Sequence, residues 1–126
     1  MSRGVLHSSL EICTGAGGQA LGLEQAGFRH QALVEIEHHC CHTLKQNRPH
    51  WNVVCEDVAR FDARSYEDID LFAAGVPCPP FSKAGKQLGK HDERDLFPQA
   101  LRIVGEITPK AVMMENVRGF LDTQFD

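Results

Sequence analysis

Short apolar runs recur along the chain, each bounded by glycine, proline or polar residues, which is the pattern of buried β-strands separated by turns. The runs are rich in Leu, Ile, Val and Ala. They predict five strands, at residues 9–13, 31–36, 51–55, 70–74 and 111–115.

Patterns typical of helices lie between these strands. They cover about residues 19–25, 38–46 and 95–107, and the second ends before Pro49 because proline cannot continue a helix. We expect the inward face of the third helix to carry Leu96, Leu101, Ile103 and Val104. The alternation of strands and helices predicts an α/β fold with a parallel sheet and right-handed crossovers.

Composition narrows the class of protein. The chain has 126 residues, of which 42% are hydrophobic, so we expect one globular domain with a buried core. No apolar run is long enough to cross a bilayer and the N-terminus lacks the apolar segment of a secretory signal, so we expect a cytoplasmic protein without membrane contact.

The five cysteines are an odd number without framework spacing, which favours reduced thiols. The net charge of −4 means that the chain lacks the excess of basic residues that binds polyanions. Most of any phosphate-binding surface must therefore come from elsewhere.

One cysteine stands between prolines immediately after the predicted fourth strand. The segment is Gly75-Val76-Pro77-Cys78-Pro79-Pro80-Phe81-Ser82, and its prolines hold Cys78 on a stiff, non-helical turn. Ligands of open α/β sheets bind at the carboxyl ends of the strands, so Cys78 is a candidate nucleophile. A buried cysteine that acts only as a small hydrophobic residue is the alternative, and the local sequence leaves both open.

Residues 81–93, which follow the cysteine, show no periodicity and contain Gly85 and Gly89 among several charged positions. A long loop of this kind in a compact domain is usually a functional lid or a linker.

A glycine-rich turn follows the predicted first strand and opens the first helix. Gly15, Gly17 and Gly18 let the backbone approach a ligand closely, and the helix N-terminus offers unpaired N–H groups. Glu35 follows about twenty residues later, at the end of the second strand, where a carboxylate accepts hydrogen bonds from ribose hydroxyls. Gly15-x-Gly17-x-x-Ala20 also satisfies the relaxed dinucleotide fingerprint, so the turn is compatible with NAD, with another nucleotide cofactor, or with no ligand.

Asp57 follows the third strand, where an acid suits an adenine amino group, although a solvated loop carboxylate is the simpler local interpretation.

Taken in their order and spacing, the segments resemble the DNA (cytosine-5) methyltransferases over about residues 10–121. Leu10-Glu11-Ile12-Cys13-Thr14-Gly15-Ala16-Gly17-Gly18 resembles the S-adenosylmethionine turn of that family. Arg94-Asp95-Leu96-Phe97 resembles the start of the helix after the cysteine motif, and Glu115-Asn116-Val117 the tripeptide with the second catalytic residue.

The resemblance implies a Rossmann-like S-adenosylmethionine-dependent methyltransferase sheet that is truncated after the fifth strand, in a single partial catalytic domain over residues 1–126. The implied cofactor is S-adenosylmethionine, with Glu35 as the ribose-binding acid and Asp57 as the adenine-contacting acid. The full set of implied cofactor-binding residues is Cys13, Gly15, Ala16, Gly17, Gly18, Glu35, Ile36, Asp57, Val58, Pro77 and Leu96.

The resemblance also implies the chemistry. A thiolate at Cys78 attacks C6 of a cytosine flipped out of double-stranded DNA, while Glu115 binds N3 and the exocyclic amine. The enamine carbon C5 then takes the methyl group from the sulfonium, and loss of the C5 proton expels the thiol. The implied DNA-binding residues of the loop are Ser82, Lys83, Lys86 and Gln87.

Two residues depart from the family pattern. Pro79 stands where the family usually has glutamine, so a backbone N–H and a side-chain amide near the flipped base are missing. Cys13 stands where an aromatic residue usually lies against the cofactor, which should weaken packing on the cofactor.

The later motifs of the family, including an arginine-bearing motif, a target-recognition region and a closing helix, have no counterpart in this sequence. We therefore expect double-stranded DNA as the substrate and either a second polypeptide that carries the remaining motifs or a fragment of a longer enzyme. Two alternatives stay open. One is a non-catalytic S-adenosylmethionine-binding remnant or regulatory subunit. The other is an unrelated nucleotide-cofactor enzyme with a reactive cysteine, which leaves Glu115-Asn116-Val117 unexplained.

The run His38-His39-Cys40-Cys41-His42 suggests a metal site, since His38 and His42 are one helical turn apart. Neighbouring helical residues point in different directions, however, so the run offers two ligands on one face rather than four. We expect no metal site here.

Overall fold

A computed structural model of the chain describes residues 6–75 and 96–115. The strands in this part are β1 (His7–Ile12), β2 (Phe28–Glu35), β3 (Val53–Cys55), β4 (Leu71–Ala74) and β5 (Ala111–Met114). The helices are α1 (Gly18–Gln25), α2 (His38–Asn47) and α3 (Phe97–Ile107), and single 3₁₀ turns cover Val58–Arg60 and Arg64–Tyr66. Within these residues no helix is long and apolar enough to cross a membrane.

The five strands form one parallel sheet in the order β3-β2-β1-β4-β5. β1 therefore lies at the centre, and the chain winds through β2 and β3 on one side of it and through β4 and β5 on the other. The predicted α/β fold with a parallel sheet and flanking helices is confirmed.

Seven of the ten strand ends differ from the prediction by one to three residues, and pairing and backbone geometry explain two of these differences. β1 ends at Ile12, since Cys13 adopts a left-handed φ of 54° that cannot continue a strand. β2 begins at Phe28, which pairs with His7 at the start of β1.

The buried side chains of β1 alternate between the two faces of the sheet. Leu10 and Ile12 are fully buried in the larger cluster, together with Ala100, Ile103 and Ile107 of α3. On the opposite face, α1 and α2 cover the sheet with Ala20, Leu23 and Leu44.

The inward face of α3 differs from the predicted one. Ile103 is fully buried as expected, and Leu96 and Val104 are partly buried against the larger core. Leu101, predicted to face inwards, is 54% exposed. Because successive helical residues are about 100° apart, Leu101 falls beside the buried stripe formed by Ala100, Ile103 and Ile107.

β5 forms the edge of the described sheet. It pairs with β4 on one side, from Ala111 opposite Leu71 to Met114 opposite Ala74. Its first two residues are exposed, Val112 by 46%. An apolar edge with unpaired backbone groups recruits another strand.

Ile103→Ala is expected to lower the free energy of unfolding by about 2–4 kcal/mol, because it leaves a cavity in the larger core. Leu101→Ala is the matched control on the exposed side of α3 and should change that free energy by less than about 0.5 kcal/mol. Urea unfolding followed by the fluorescence of Trp51, the single tryptophan, measures both. Equal losses in the two variants would contradict the orientation of α3.

Candidate active site

The candidate residues meet at the carboxyl edge of the sheet. Because the strands are parallel, their carboxyl ends lie at one edge, and β1 and β4 are the neighbours at which the winding reverses. The segments that leave this edge are the turn 13–17 after β1, Ile36 after β2, Asp57 after β3, Gly75 after β4 and Glu115 after β5.

The turn after β1 depends on glycine at two positions. Gly15 has φ 63° and Gly17 has φ 102°, which side chains rarely adopt. A Cβ at Gly17 would also lie 2.6 Å from Leu44 Cδ2, so this glycine is needed for packing against α2. A Cβ at Gly15 or Gly18 would meet no atom within 4 Å, so open space for a ligand borders these two glycines among the described residues.

Glu35 ties this turn to β2. Its Oε1 accepts a hydrogen bond of 2.7 Å from the Gly15 N–H, and its Oε2 accepts one of 2.9 Å from the Glu37 N–H. The residue is buried, with 7% exposed. A carboxylate has about four acceptor positions, so Glu35 holds the turn and keeps acceptor capacity for a ligand hydroxyl.

An exposed apolar residue and a capped acid flank this carboxylate along the edge. Ile36 follows Glu35 directly and is 52% exposed. Asp57 begins the 3₁₀ turn Val58–Arg60, and its Oδ1 accepts a hydrogen bond of 2.9 Å from the Ala59 N–H. Within the described ranges, its second oxygen accepts no hydrogen bond from the protein.

Val58, Cys13 and Leu96 contribute less side-chain surface than the sequence suggests. Val58 is 3% exposed and lies in the larger core, so it can meet a ligand only through its backbone. Cys13 and Leu96 are partly buried and pack against the same core. The structure therefore arranges these three predicted cofactor residues along the α3 side of the sheet.

Glu115 lies beside the chain segment that leads to the cysteine motif. Its N–H donates a hydrogen bond of 2.9 Å to the Ala74 carbonyl, and its side chain is exposed. This bond aligns Glu115 with Gly75, the last described residue before that motif. The predicted residues outside the described part of the chain are Pro77, Cys78, Ser82, Lys83, Lys86 and Gln87.

Sequence reasoning missed an acid beneath the glycine turn. Glu11 of β1 lies opposite Leu33 and Ala73, is 1% exposed, and has an Oε1 without a hydrogen-bond partner among the described residues. Burial raises the pKa of its carboxyl to about 8, and a hydrogen bond from Thr14 offsets part of that rise. Because β1 also contains His7, Ser8 and Ser9, its sequence gave no signal that this acid is buried.

The His/Cys run on α2 is divided between different partners. The Cys41 thiol donates to the Glu35 carbonyl at 3.2 Å, and burial raises the pKa of this thiol to about 12. His38 Nδ1 instead lies 3.5 Å from the Cys55 Sγ of β3. Over residues 6–75 and 96–115, no three His, Cys, Asp or Glu side chains are grouped closely enough to hold a metal ion.

Known proteins similar to this chain share both its sequence and its fold. A family model for C-5 cytosine-specific DNA methylase matches residues 7–126. The chain is 66% identical over 119 residues to the type II methyltransferase M.NgoMIV of Neisseria gonorrhoeae, covering 94% of this chain and 38% of that protein. It is 49% identical over 119 residues to the type II methyltransferase M.Eco47II of Escherichia coli, covering 93% of this chain and 28% of that protein.

A solved structure is also similar to this chain. It is a crystal structure described as a DNA modification methyltransferase encoded within a prophage of E. coli, with a TM-score of 0.80 and 30% identity. The similarity covers 95% of this chain and 34% of that one. The chain thus spans about a third of the length of these relatives.

Glu11→Gln is expected to remove a pH-dependent loss of stability. Between pH 4.5 and about 8 the unfolded chain has released the Glu11 proton while the folded chain retains it, so the free energy of unfolding falls as pH rises. The fall is at most about 1.4 kcal/mol per pH unit and ends above the raised pKa. Urea titrations at several pH values should show a flatter profile for Glu11→Gln than for the wild-type protein. The exposed Glu67→Gln variant is the control, and parallel profiles for all three proteins would refute the role of Glu11.

Proposed function

This chain belongs to the C-5 cytosine-specific DNA methylase family, and on that premise we propose that it is the portion of a DNA (cytosine-5) methyltransferase that binds S-adenosylmethionine and carries the nucleophile. The observation that carries the proposal is the meeting of the glycine turn, Glu35, Asp57 and Glu115 at one edge of a parallel sheet. These are the positions at which the family motifs recur in the sequence.

S-adenosylmethionine is the cofactor, and the residues at this edge fit its parts. The remaining acceptor positions of Glu35 suit the ribose hydroxyls, and the open side of Gly15 and Gly18 leaves room for the cofactor against the start of α1. The exposed side chain of Ile36 suits one face of the adenine. The second oxygen of Asp57 suits the adenine amino group.

The chemistry requires a nucleophile and an acid near the same base. The Cys78 thiolate adds to C6 of cytosine, and C5 of the resulting enamine takes the methyl group while the sulfonium sulfur keeps the bonding pair. Loss of the C5 proton and expulsion of the thiolate restore the ring. Glu115 donates a hydrogen bond to N3 during the addition, which stabilises the charge that develops there.

Chain length supports this pairing of residues. Cys78 follows Gly75 by three residues, and three residues span at most about 11 Å. Glu115 is hydrogen-bonded at the neighbouring position, Ala74. Ser82, Lys83, Lys86 and Gln87, which follow the nucleophile, are the proposed contacts to the DNA around a flipped cytosine.

The rest of the methyltransferase is proposed to pair with β5. The chain spans 38% of M.NgoMIV, and Val112 leaves an apolar edge exposed at the side of the sheet next to Glu115. A further strand there would cover the edge. We infer that this remainder, in the same or a second polypeptide, also supplies the basic surface that reads double-stranded DNA, because the net charge of this chain is −4.

The chain is expected to bind S-adenosylmethionine more tightly than NAD. Glu35→Ala should weaken S-adenosylmethionine binding at least about tenfold, which corresponds to about 1.4 kcal/mol, because it removes both the ribose acceptor and the anchor of the turn. Glu37→Ala is the matched control, since this neighbouring carboxylate is exposed. Isothermal titration calorimetry with both ligands measures the affinities. Tighter binding of NAD would overturn the choice of cofactor.

Cys78 is expected to form a covalent adduct with duplex DNA that contains 5-fluorocytosine, because fluorine at C5 cannot leave as a proton does. The test protein carries this chain in place of the matching segment of M.NgoMIV, and the unfused chain is assayed beside it. Cys78→Ser should abolish the adduct, whereas Cys40→Ser on α2 should retain it. Glu115→Gln should slow methyl transfer with little change in cofactor affinity.

Three results of the binding and adduct assays distinguish the alternatives. An undiminished adduct in Cys78→Ser would place the nucleophile elsewhere. S-adenosylmethionine binding without any adduct or methyl transfer would favour the non-catalytic remnant. A full reaction by the unfused chain would contradict the need for the remainder.

A further inference from the structure

Arg102 of α3 is hydrogen-bonded to the segment that begins with Asp57. Arg102 Nη2 donates hydrogen bonds of 3.0 Å to the Val58 carbonyl and 3.1 Å to the Phe61 carbonyl. Its other donors are used on α3 itself, with Nη1 2.7 Å from Glu106 Oε2 and Nε 2.9 Å from Gln99 Oε1. Each nitrogen of the guanidinium therefore has a partner, and Nη2 bonds both to the first residue of the 3₁₀ turn and to the residue that follows it.

Glu106 extends the same attachment. Its Oε1 accepts a hydrogen bond of 3.3 Å from the Ala63 N–H, while its Oε2 is paired with Arg102. The two side chains, one helical turn apart, thus hold the backbone of residues 58–63 at three points. Both are partly buried, with 32% and 23% of their side chains exposed, so water competes with these bonds less than at an open surface.

The segment itself has mainly local backbone bonds. The Arg60 N–H donates to the Asp57 carbonyl and the Phe61 N–H to the Val58 carbonyl, which shape the turn but do not orient it on the sheet. Val58 and Phe61 are buried in the larger core, and this burial fixes their side chains. The Glu56 N–H, just before Asp57, donates a hydrogen bond of 3.0 Å to the Glu35 carbonyl of β2. From the other side, Arg102 holds the carbonyls of Val58 and Phe61, which follow the residue that caps the turn.

We propose that Arg102 is a positioning residue for the cofactor, because its bonds to the Val58 and Phe61 carbonyls aim the Asp57 carboxylate at the adenine. The inference rests on the proposed function, which assigns the adenine to this turn. Arg102 does not touch the cofactor. A lysine could not replace it, since one ammonium lacks the planar set of donors that reaches two carbonyls and a carboxylate together.

Arg102→Gln is expected to weaken the binding of S-adenosylhomocysteine by about tenfold or more, a change of about 1.4 kcal/mol. Arg64→Gln is the control, since Arg64 lies in the neighbouring turn and its hydrogen bonds are to Asp62. Calorimetric titrations should give an unchanged affinity for this control. Urea unfolding of each variant establishes that folded protein is compared.

A double-mutant cycle with Asp57→Asn separates positioning from a general structural role. When Arg102 acts through Asp57, the double variant binds no more than about twofold more weakly than Asp57→Asn alone, since the interaction is already lost. Should Arg102→Gln fail to fold, Arg102→Lys and Glu106→Gln replace it in the same cycle, because each removes only part of the attachment.

The outcomes are distinct from those that test the proposed function. A wild-type protein that binds neither S-adenosylmethionine nor S-adenosylhomocysteine refutes the proposed function. A wild-type protein that binds both, with variants at Arg102 that bind equally well or whose losses add to that of Asp57→Asn, overturns the positioning role.

Discussion

The hydrogen bond of 2.7 Å between the Gly15 N–H and the Glu35 carboxylate joins the end of β1, the central strand of the sheet, to the end of its neighbour β2. The turn after β1 contains Cys13, Gly15 and Gly17 at positive φ, so it cannot continue the strand, and the Thr14 N–H reaches the Val34 carbonyl of β2 at 3.4 Å. The buried carboxylate adds a shorter bond, and charge-assisted bonds to N–H groups are among the stronger ones in proteins. The same carboxylate borders the proposed ribose position. The shape of the turn and its proposed use in binding therefore depend on the same carboxylate.

The sequence predicted what local pattern determines. Five apolar runs placed the strands, and the parallel sheet with its glycine turn and neighbouring Glu35 is confirmed. The predicted orientation of Leu101 was wrong, because hydrophobicity alone does not determine how a helix is rotated about its axis against a sheet. The depth of Glu11 and the reach of Arg102 to the segment at 58–63 depend on contacts far apart in sequence, which no local pattern reveals. The roles of Cys78 and the loop after it stay predictions.

The distribution of charge explains why the described part of this chain offers little to DNA. Its cations are largely engaged by acids nearby, in the pairs Arg48–Glu24, Arg64–Asp62, Arg102–Glu106 and Lys110–Asp70. The Asp70 carboxylate also accepts the Ser8 N–H, and these partners hold its pKa at about 2. Such pairs stabilise strand and helix ends but neutralise the charge that phosphates need. The proposal that the remainder supplies a basic surface is supported by this pairing as well as by the net charge of −4.

The two halves of the proposed reaction depend on that remainder to different degrees. On the proposed cofactor side, hydrogen bonds from described residues hold the backbone. Glu35 of β2 holds the turn after β1, and Arg102 of α3 holds the turn after β3. The groups on this side are already oriented by the protein, so binding adds contacts without first ordering the chain. The base side begins at Glu115, which is exposed and adjoins the unpaired edge of β5. Within residues 6–75 and 96–115, nothing encloses this carboxyl group so as to exclude water from a reacting base. In the proposed reaction, cofactor binding is therefore the step whose contacts lie mainly within the described residues, and methyl transfer is the step for which we propose that the β5 edge must be covered.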